Sequence, residues 1–199
     1  MIVFENLTTM RRLRSPSDKF FNSYNVHCQV EKLLVEGAQI NTPFAYTFVL
    51  NNASHSASTL IRTIEATNLP GERRREVSFK NGQPLSFVVA LHTSKSVNAK
   101  GERTRSVAIT EPDEQVKKLE AISTKNGFKV LDAQVIDNHS LFIKKGRQPG
   151  FWLAGAKLMV KAEIIDPVSF EVAFAEGIGS KKSFGFGLIL PLNLETADE

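Results

Sequence analysis

The sequence predicts an α+β fold of two tandem ferredoxin-like domains, the first degenerate. Three observations predict it. The 199 residues are 42% hydrophobic and 23% charged, enough for two small cores and too apolar for a disordered chain. In the second half the apolar pattern gives the order β-α-β-hairpin-β-α-β, the split βαβ plan. The first half gives a reduced version, β-α-β-(α)-β, without an internal sequence repeat. The polar stretch 94–105 is taken as the joint, dividing the chain into domains 1–94 and 95–199.

Each element has its own signal. Ile2–Phe4 reads as a short strand. Ser15-Pro16-Ser17-Asp18 is a helix start, with Ser15 as cap, Pro16 in the first turn and Asp18 on the positive end of the dipole. That helix is expected to reach Glu36 and stop at a left-handed Gly37. Phe20, Phe21, Tyr24, Cys28 and Val35 form its expected core stripe. Phe44–Leu50 is β-rich, Ser56–Glu65 is ambiguous and compatible with helix, and Lys80-Asn81-Gly82-Gln83 is a hairpin-type turn before a strand at Leu85–Leu91.

The second half opens with a strand at Ser106–Ile109. Thr110 is the expected cap of a helix whose apolar face is Val116, Leu119 and Ile122, closed by Gly127. Phe128–Ile136 and Ser140–Ile143 read as strands joined by a turn at Asp137-Asn138-His139. A strand within Leu153–Ile165 precedes a helix capped at Asp166-Pro167 and closed by Gly177, and Phe184–Leu192 is the last strand.

Composition narrows the function classes. A single cysteine, Cys28, excludes an internal disulfide framework and a Cys-rich zinc module. Cys28 falls on the apolar stripe and is expected in the core. Four scattered histidines show no metal-binding spacing. The first five residues meet a charge at once, unlike a signal peptide, and no apolar run is long enough to span a membrane. A cytoplasmic protein is expected. The net charge is +4, but residues 71–110 carry eight basic and three acidic residues, and 144–188 carry seven and four. An acidic stretch at 111–143 and an acidic tail mask these basic segments. They suit a polyanion, and they equally suit solvated loops.

The most specific motif is Gly177-Ile178-Gly179-Ser180-Lys181-Lys182-Ser183-Phe184-Gly185-Phe186-Gly187. Its glycines permit positive φ and close backbone approach. Its amides and the two lysines suit an anion-binding nest, or else a plain helix-to-strand connection. It lacks the Gly-Lys-Ser/Thr ending of a nucleotide-binding P-loop. This C-terminal loop resembles the signature of the CRISPR RAMP proteins, and more closely that of the CasE-type repeat endoribonucleases of type I-E Cascade. Type IV systems use similar proteins.

The resemblance gives the first helix a meaning. CasE-type proteins carry a similar Tyr-x-x-His where this chain has Tyr24-Asn25-Val26-His27. The likeness implies His27 as the main catalytic residue, Tyr24 as its helper, and Lys32 as the transition-state lysine of some members. Residues 24 and 27 share a helix face, whereas Lys32 lies well round from His27. Read without the resemblance, such a pair on an apolar helix is more commonly packing.

The implied activity is metal-independent cleavage of CRISPR precursor RNA at the base of the repeat stem-loop. The 2′-hydroxyl would attack the adjacent phosphate, leaving a 2′,3′-cyclic phosphate and a 5′-hydroxyl. Histidine suits either proton transfer. No cofactor is implied. The implied partners are the repeat RNA stem-loop and other subunits of a Cascade-like effector complex, with no membrane. Candidate RNA-binding residues are Lys100, Arg103 and Arg105; Lys144, Lys145 and Arg147; Lys157; and Lys181 and Lys182, beside the loop glycines Gly177, Gly179, Gly185 and Gly187. Trp152 suits either base stacking or the second core. The alternatives are a non-catalytic RNA-binding RAMP subunit and an unrelated ferredoxin-like RNA-binding module. The chain departs from the family over 38–80, and its helix at 113–126 lacks a tryptophan common in relatives.

Overall fold

A computed structural model describes residues 1–11, 13, 20–51, 53–97 and 105–192, the Arg105 side chain excepted. The expected helix start at Ser15-Pro16, and Lys100 and Arg103, lie outside the described residues. Ten strands and three α-helices follow in the order β1 (Ile2–Met10), α1 (Tyr24–Glu31), β2 (Ala45–Asn51), β3 (Ser56–Thr63), β4 (Arg73–Glu76), β5 (Pro84–His92), β6 (Ser94–Val97), β7 (Arg105–Ala108), α2 (Pro112–Ser123), β8 (Phe128–Ile143), β9 (Phe151–Ile164), α3 (Pro167–Glu176) and β10 (Leu190–Pro191). No described helix is long and apolar enough to cross a membrane.

The strands form two four-stranded antiparallel sheets, β2-β3-β1-β4 and β10-β5-β9-β8, and a small β6-β7 ribbon. Both sheets have the ferredoxin-like strand order, with the first and third strands of each unit in the middle. In the first unit residues 64–72 hold no helix between β3 and β4, which is its degeneracy.

The pairing corrects several expectations. Leu85–Leu91 was expected to finish the first unit. It lies in β5, a central strand of the second sheet, and the sheets therefore change between β4 and β5 rather than in 94–105. Ser106–Ile109 does not open the second sheet; β7 pairs only with β6. Of Ser56–Glu65, Ser56–Thr63 is strand, because Ala57, Thr59 and Ile61 are buried at every second residue against β1 and β2. The Asp137-Asn138-His139 turn does not exist. β8 runs unbroken for 16 residues and absorbs the polar triplet through register shifts at Val130/Asp132 and Val135/Asp137. Little of 184–192 is strand: only Leu190–Pro191 pairs, with β5.

The first helix also buries a different face. Val26, Val30 and Leu34 are fully buried against Tyr46, Ala57 and Ile61 of the first sheet, while Cys28, Phe20 and Val35 are exposed. Positions 26, 30 and 34 make a clean i, i+4 row. The last turn widens to a π-helix over Lys32–Gly37, and the left-handed residue is Gln39 (φ 57°), not Gly37. Helices α2 and α3 cover the second sheet through Leu119, Phe170 and Phe174. The N-cap of α2 is Glu111 rather than Thr110. Asp166 caps α3 as expected, accepting from the Val168 and Ser169 amides.

One buried cation joins the two units. Arg62 of β3 is 1% exposed. Its guanidinium donates to Glu5 Oε1 at 2.6 and 2.8 Å, and to the Phe174 and Ile189 carbonyls at 2.8 and 3.0 Å. It also lies 3.8 Å over the Phe174 ring. Burial works against its charge, and Glu5 offsets that cost. Arg62→Met strands two carbonyls and one oxygen of Glu5. It should cost about 3–5 kcal/mol in urea denaturation. A loss below about 1 kcal/mol would show that the guanidinium does not hold the seam.

Candidate active site

Helix α1 is fixed at its first turn by Asn22. Its Nδ2 donates to the Lys144 carbonyl at 2.8 Å, and its Oδ1 accepts from the Lys144 amide at 2.9 Å and the Tyr24 amide at 3.2 Å. The Ser23 amide adds a bond to the Phe142 carbonyl at 2.9 Å. The start of α1 is thereby tied to the end of β8. In sequence, Asn22 reads only as a helix-start residue; nothing local points to residue 144.

This tie brings Tyr24 and His27 beside Lys145. The Tyr24 and His27 rings are 5.6 Å apart, and His27 lies 5.8 Å from Phe184 of the glycine-rich loop. Lys145 Nζ sits 5.2 Å from the Tyr24 ring centroid and 5.8 Å from that of Phe184. His27 Nε2 is 3.6 Å from Glu31 Oε2, one turn on. Its Nδ1 is buried with no hydrogen-bond partner among the described residues. Burial holds the imidazole below its ordinary value, Glu31 opposes this, and Lys145 adds to it. The Tyr24 phenol is raised, chiefly by its hydrogen bond with Cys28. At neutral pH the site therefore offers a neutral imidazole and a protonated phenol, with the Lys145 side chain beside them.

The glycine-rich loop forms the opposite wall. Gly177, Gly179, Gly185 and Gly187 all have positive φ, and so does Lys181 (63°). The loop closes on itself through Ile178 N to Gly187 O at 2.9 Å, and on β5 through Gly187 N to Ala90 O at 2.7 Å. A Cβ on Gly187 would run into the Ile178 carbonyl, and one on Gly185 would press on the Phe48 ring. Tyr46 donates to the Ser183 carbonyl at 2.5 Å, so the first unit also grips the loop. The amides of Ile178, Gly185 and Gly187 are taken by backbone carbonyls. The close approach that the glycines permit is thus used against the protein's own backbone.

The remaining predicted residues spread around this wall. Lys144, Lys145 and Arg147 are exposed at the tip between β8 and β9, and Lys157 is exposed on β9. Lys181 is exposed and acts on the charge of His92, whereas Lys182 Nζ turns back to the Gly177 carbonyl at 3.5 Å. Lys32 lines a groove with Thr8, Met10 and Leu33; the charges acting on His27 are Glu31 and Lys145. Among the described residues, no three His, Cys, Asp or Glu side chains gather as metal ligands would.

The family described as CRISPR associated protein matches residues 35–191. No protein of curated function matches. Among solved structures, the CRISPR endoribonuclease Cse3 bound to 19 nt RNA is 19% identical with a TM-score of 0.68, over 96% of this chain and 98% of that one. The CRISPR-associated protein Cas6e from Escherichia coli str. K-12 is 17% identical with a TM-score of 0.72, over 98% and 100%. A chain of a CRISPR RNA-guided surveillance complex, pre-nicking, is 14% identical with a TM-score of 0.65, over 96% and 99%.

The loop wall makes a controlled prediction. Gly82 (φ 76°) and Gly187 (φ 91°) both need positive φ, but only a side chain at 187 meets backbone. Gly82→Ala should cost about 1–3 kcal/mol from backbone strain alone. Gly187→Ala should cost distinctly more in the same denaturation experiment. Equal losses would show that close approach is not what the loop requires.

Proposed function

The chain belongs to the family of CRISPR associated proteins, and on that footing we propose that it is an endoribonuclease. It cuts CRISPR precursor RNA within the repeat, at the base of the stem-loop. It then keeps its product as a subunit of an effector complex. The carrying observation is the meeting of His27, Tyr24 and Lys145 between helix α1 and the glycine-rich loop. Its supports are the shared fold of an RNA-bound endoribonuclease and of a surveillance-complex subunit.

The chemistry follows from the protonation states. Neutral His27 takes the proton of the 2′-hydroxyl as its oxygen bonds to the phosphorus. Lys145 faces the charge that builds on the phosphoryl oxygens. Lys145 takes the place that the resemblance gives to Lys32, because it lies beside the pair. The bond to the 5′-oxygen breaks, and that oxygen takes the Tyr24 phenol proton, which the proton held by His27 then replaces. The products are a 2′,3′-cyclic phosphate and a 5′-hydroxyl, formed without a metal. Lys144, Arg147, Lys157 and Lys181 offer phosphate contacts around the site, as do Lys100, Arg103, Arg105 and Lys182 in the sequence reading.

The test is cleavage of cognate repeat RNA in EDTA. His27→Ala should bind RNA normally and cut about 100- to 10,000-fold more slowly. Lys145→Ala should slow cleavage more than Lys32→Ala; the reverse order would return the transition-state role to Lys32. Binding without cleavage by the wild-type protein would leave a non-catalytic RNA-binding subunit.

The pH dependence has a definite sign. The His27 value in the free protein lies below the ordinary 6.5, and the neutral ring is the active base. kcat/KM should therefore rise with pH through a point below 6.5 and level off by neutrality. Glu31→Gln removes the anion that favours the charged ring and should move this limb to lower pH. Lys145→Ala should move it higher. An acid limb above 6.5 in the wild-type protein would falsify the base assignment.

A further inference from the structure

A cleft opens beside the start of β9. β9 begins at Phe151, yet its pairing with β5 begins only at Gly155, opposite His92. On that side the first residues of β9 have no strand of the second sheet beside them. They border a cavity of about 290 Å³ whose lining includes Phe151, Trp152, His92, Ser94, Ser106 and Lys181. This is just under the range of about 300–1,000 Å³ typical of small-molecule sites.

The aromatic wall is unusually bare. Trp152 is 54% exposed and Phe151 44% exposed. The Trp152 ring is held edge-on to Phe20 at 5.2 Å and tilted to Phe142 at 5.2 Å, and Phe20 is itself 40% exposed. Phe142 and Trp152 are directly paired, so they share one face of the hairpin. Leu141 and Leu153, one residue away, face the Phe184 side. Trp152 is therefore braced by two rings, with much of its surface open to a ligand. Nothing in the core needs it there.

Among the described residues, the opposite wall is polar and holds no carboxylate. Lys181 supplies an ammonium group at the rim. His92 is fixed between two serine hydroxyls, Nδ1 to Ser180 at 3.2 Å and Nε2 to Ser94 at 3.1 Å. Burial and the nearby Lys118 and Lys181 push its value down to about 4, so the ring is neutral at pH 7. A bare aromatic face, hydroxyls and a lysine that no described carboxylate faces match a single nucleotide: ring for base, hydroxyls for polar edges, ammonium for phosphate. A protein side chain of apolar type would leave the cation unanswered.

We infer that this cleft holds one unpaired RNA nucleotide flanking the repeat stem, its base stacked on Trp152 and its phosphate beside Lys181. The inference rests on the endoribonuclease reading. It adds a specificity element to it, since a bare stem has no nucleotide to place there.

Trp152 is the only tryptophan in the sequence, so its fluorescence reports the cleft directly. The probe is an end-labelled repeat stem-loop with 2′-deoxy sugars at the stem base, prepared with unpaired flanks, without flanks, and with single abasic flank positions. The label measures binding independently of the tryptophan. The flanked RNA should quench Trp152, and one abasic position or loss of the flank should abolish the quenching. Trp152→Ala should weaken the flanked RNA about 5- to 150-fold, the range for one stacked base, and leave the bare stem unchanged. Trp152→Phe should recover most of that loss. If flanked RNA binds by its label with no abasic-sensitive quenching, or Trp152→Ala binds both RNAs like wild type, the inference is overturned and the endoribonuclease reading stands. If Trp152→Ala keeps RNA affinity but no longer assembles with other effector subunits, the surface is a protein contact, which also overturns it. If no repeat RNA binds at all, the reading of function fails and the inference with it.

Discussion

A single desolvated guanidinium sets the geometry on which the site depends. Arg62 leaves the first sheet and spends its donors on Glu5, on α3 and on the chain just before β10. Arg75 reinforces it from β4, 3.1 Å from the other oxygen of Glu5. A buried charge tolerates few positions, because each unmade hydrogen bond costs the full desolvation of its partner. Two carbonyls of the second unit are thus held at fixed distances from a strand of the first. That constraint carries over to the glycine-rich loop, which runs from the end of α3 to Ile189. Phe184 can face His27 only because both ends of its loop are held.

The site is consequently a seam and not a pocket in either domain. Helix α1 comes from the first unit, Lys145 and Phe184 from the second, and Tyr46 ties loop to sheet. Glycine at 187 serves the same end as Arg62. One sets the distance between units by charge, the other by the absence of a side chain.

The two-unit α+β architecture was legible because helix caps and apolar rows are local. Asp166 and Gly127 end or begin helices as their sequence context requires. Strand partnership was not legible, since β5 carries the same apolar alternation whichever sheet it joins. Nor was the length of β8: Asp137-Asn138-His139 has turn chemistry, but pairing to β9 through two register shifts overrides it. The wrong stripe on α1 arose because Tyr24 faces the seam and Phe20 braces Trp152, while Phe21 alone of the stripe's aromatics packs on the first core. Tyr24 and His27 were singled out by a motif resemblance; helical spacing alone left them as packing. Lys145 was legible as a basic residue and its place beside Tyr24 was not, because Asn22, bonded to Lys144 across 122 positions, brings that tip to the helix.

That amide makes the hairpin tip and the first turn of α1 move as one body. Lys144 is bonded to Asn22 through both its amide and its carbonyl, so the tip cannot tilt without turning the helix start. A substrate that grips Lys144–Arg147 therefore pulls on the lever that carries Tyr24 and His27. By linkage, any ligand that stiffens the tip lowers the cost of ordering the pair, and occupancy of the pair stiffens the tip in return. Binding at the tip and binding beside the pair are then coupled. On the proposed reading, hold on the RNA at the tip and the setting of Tyr24 and His27 share the same three hydrogen bonds of one asparagine.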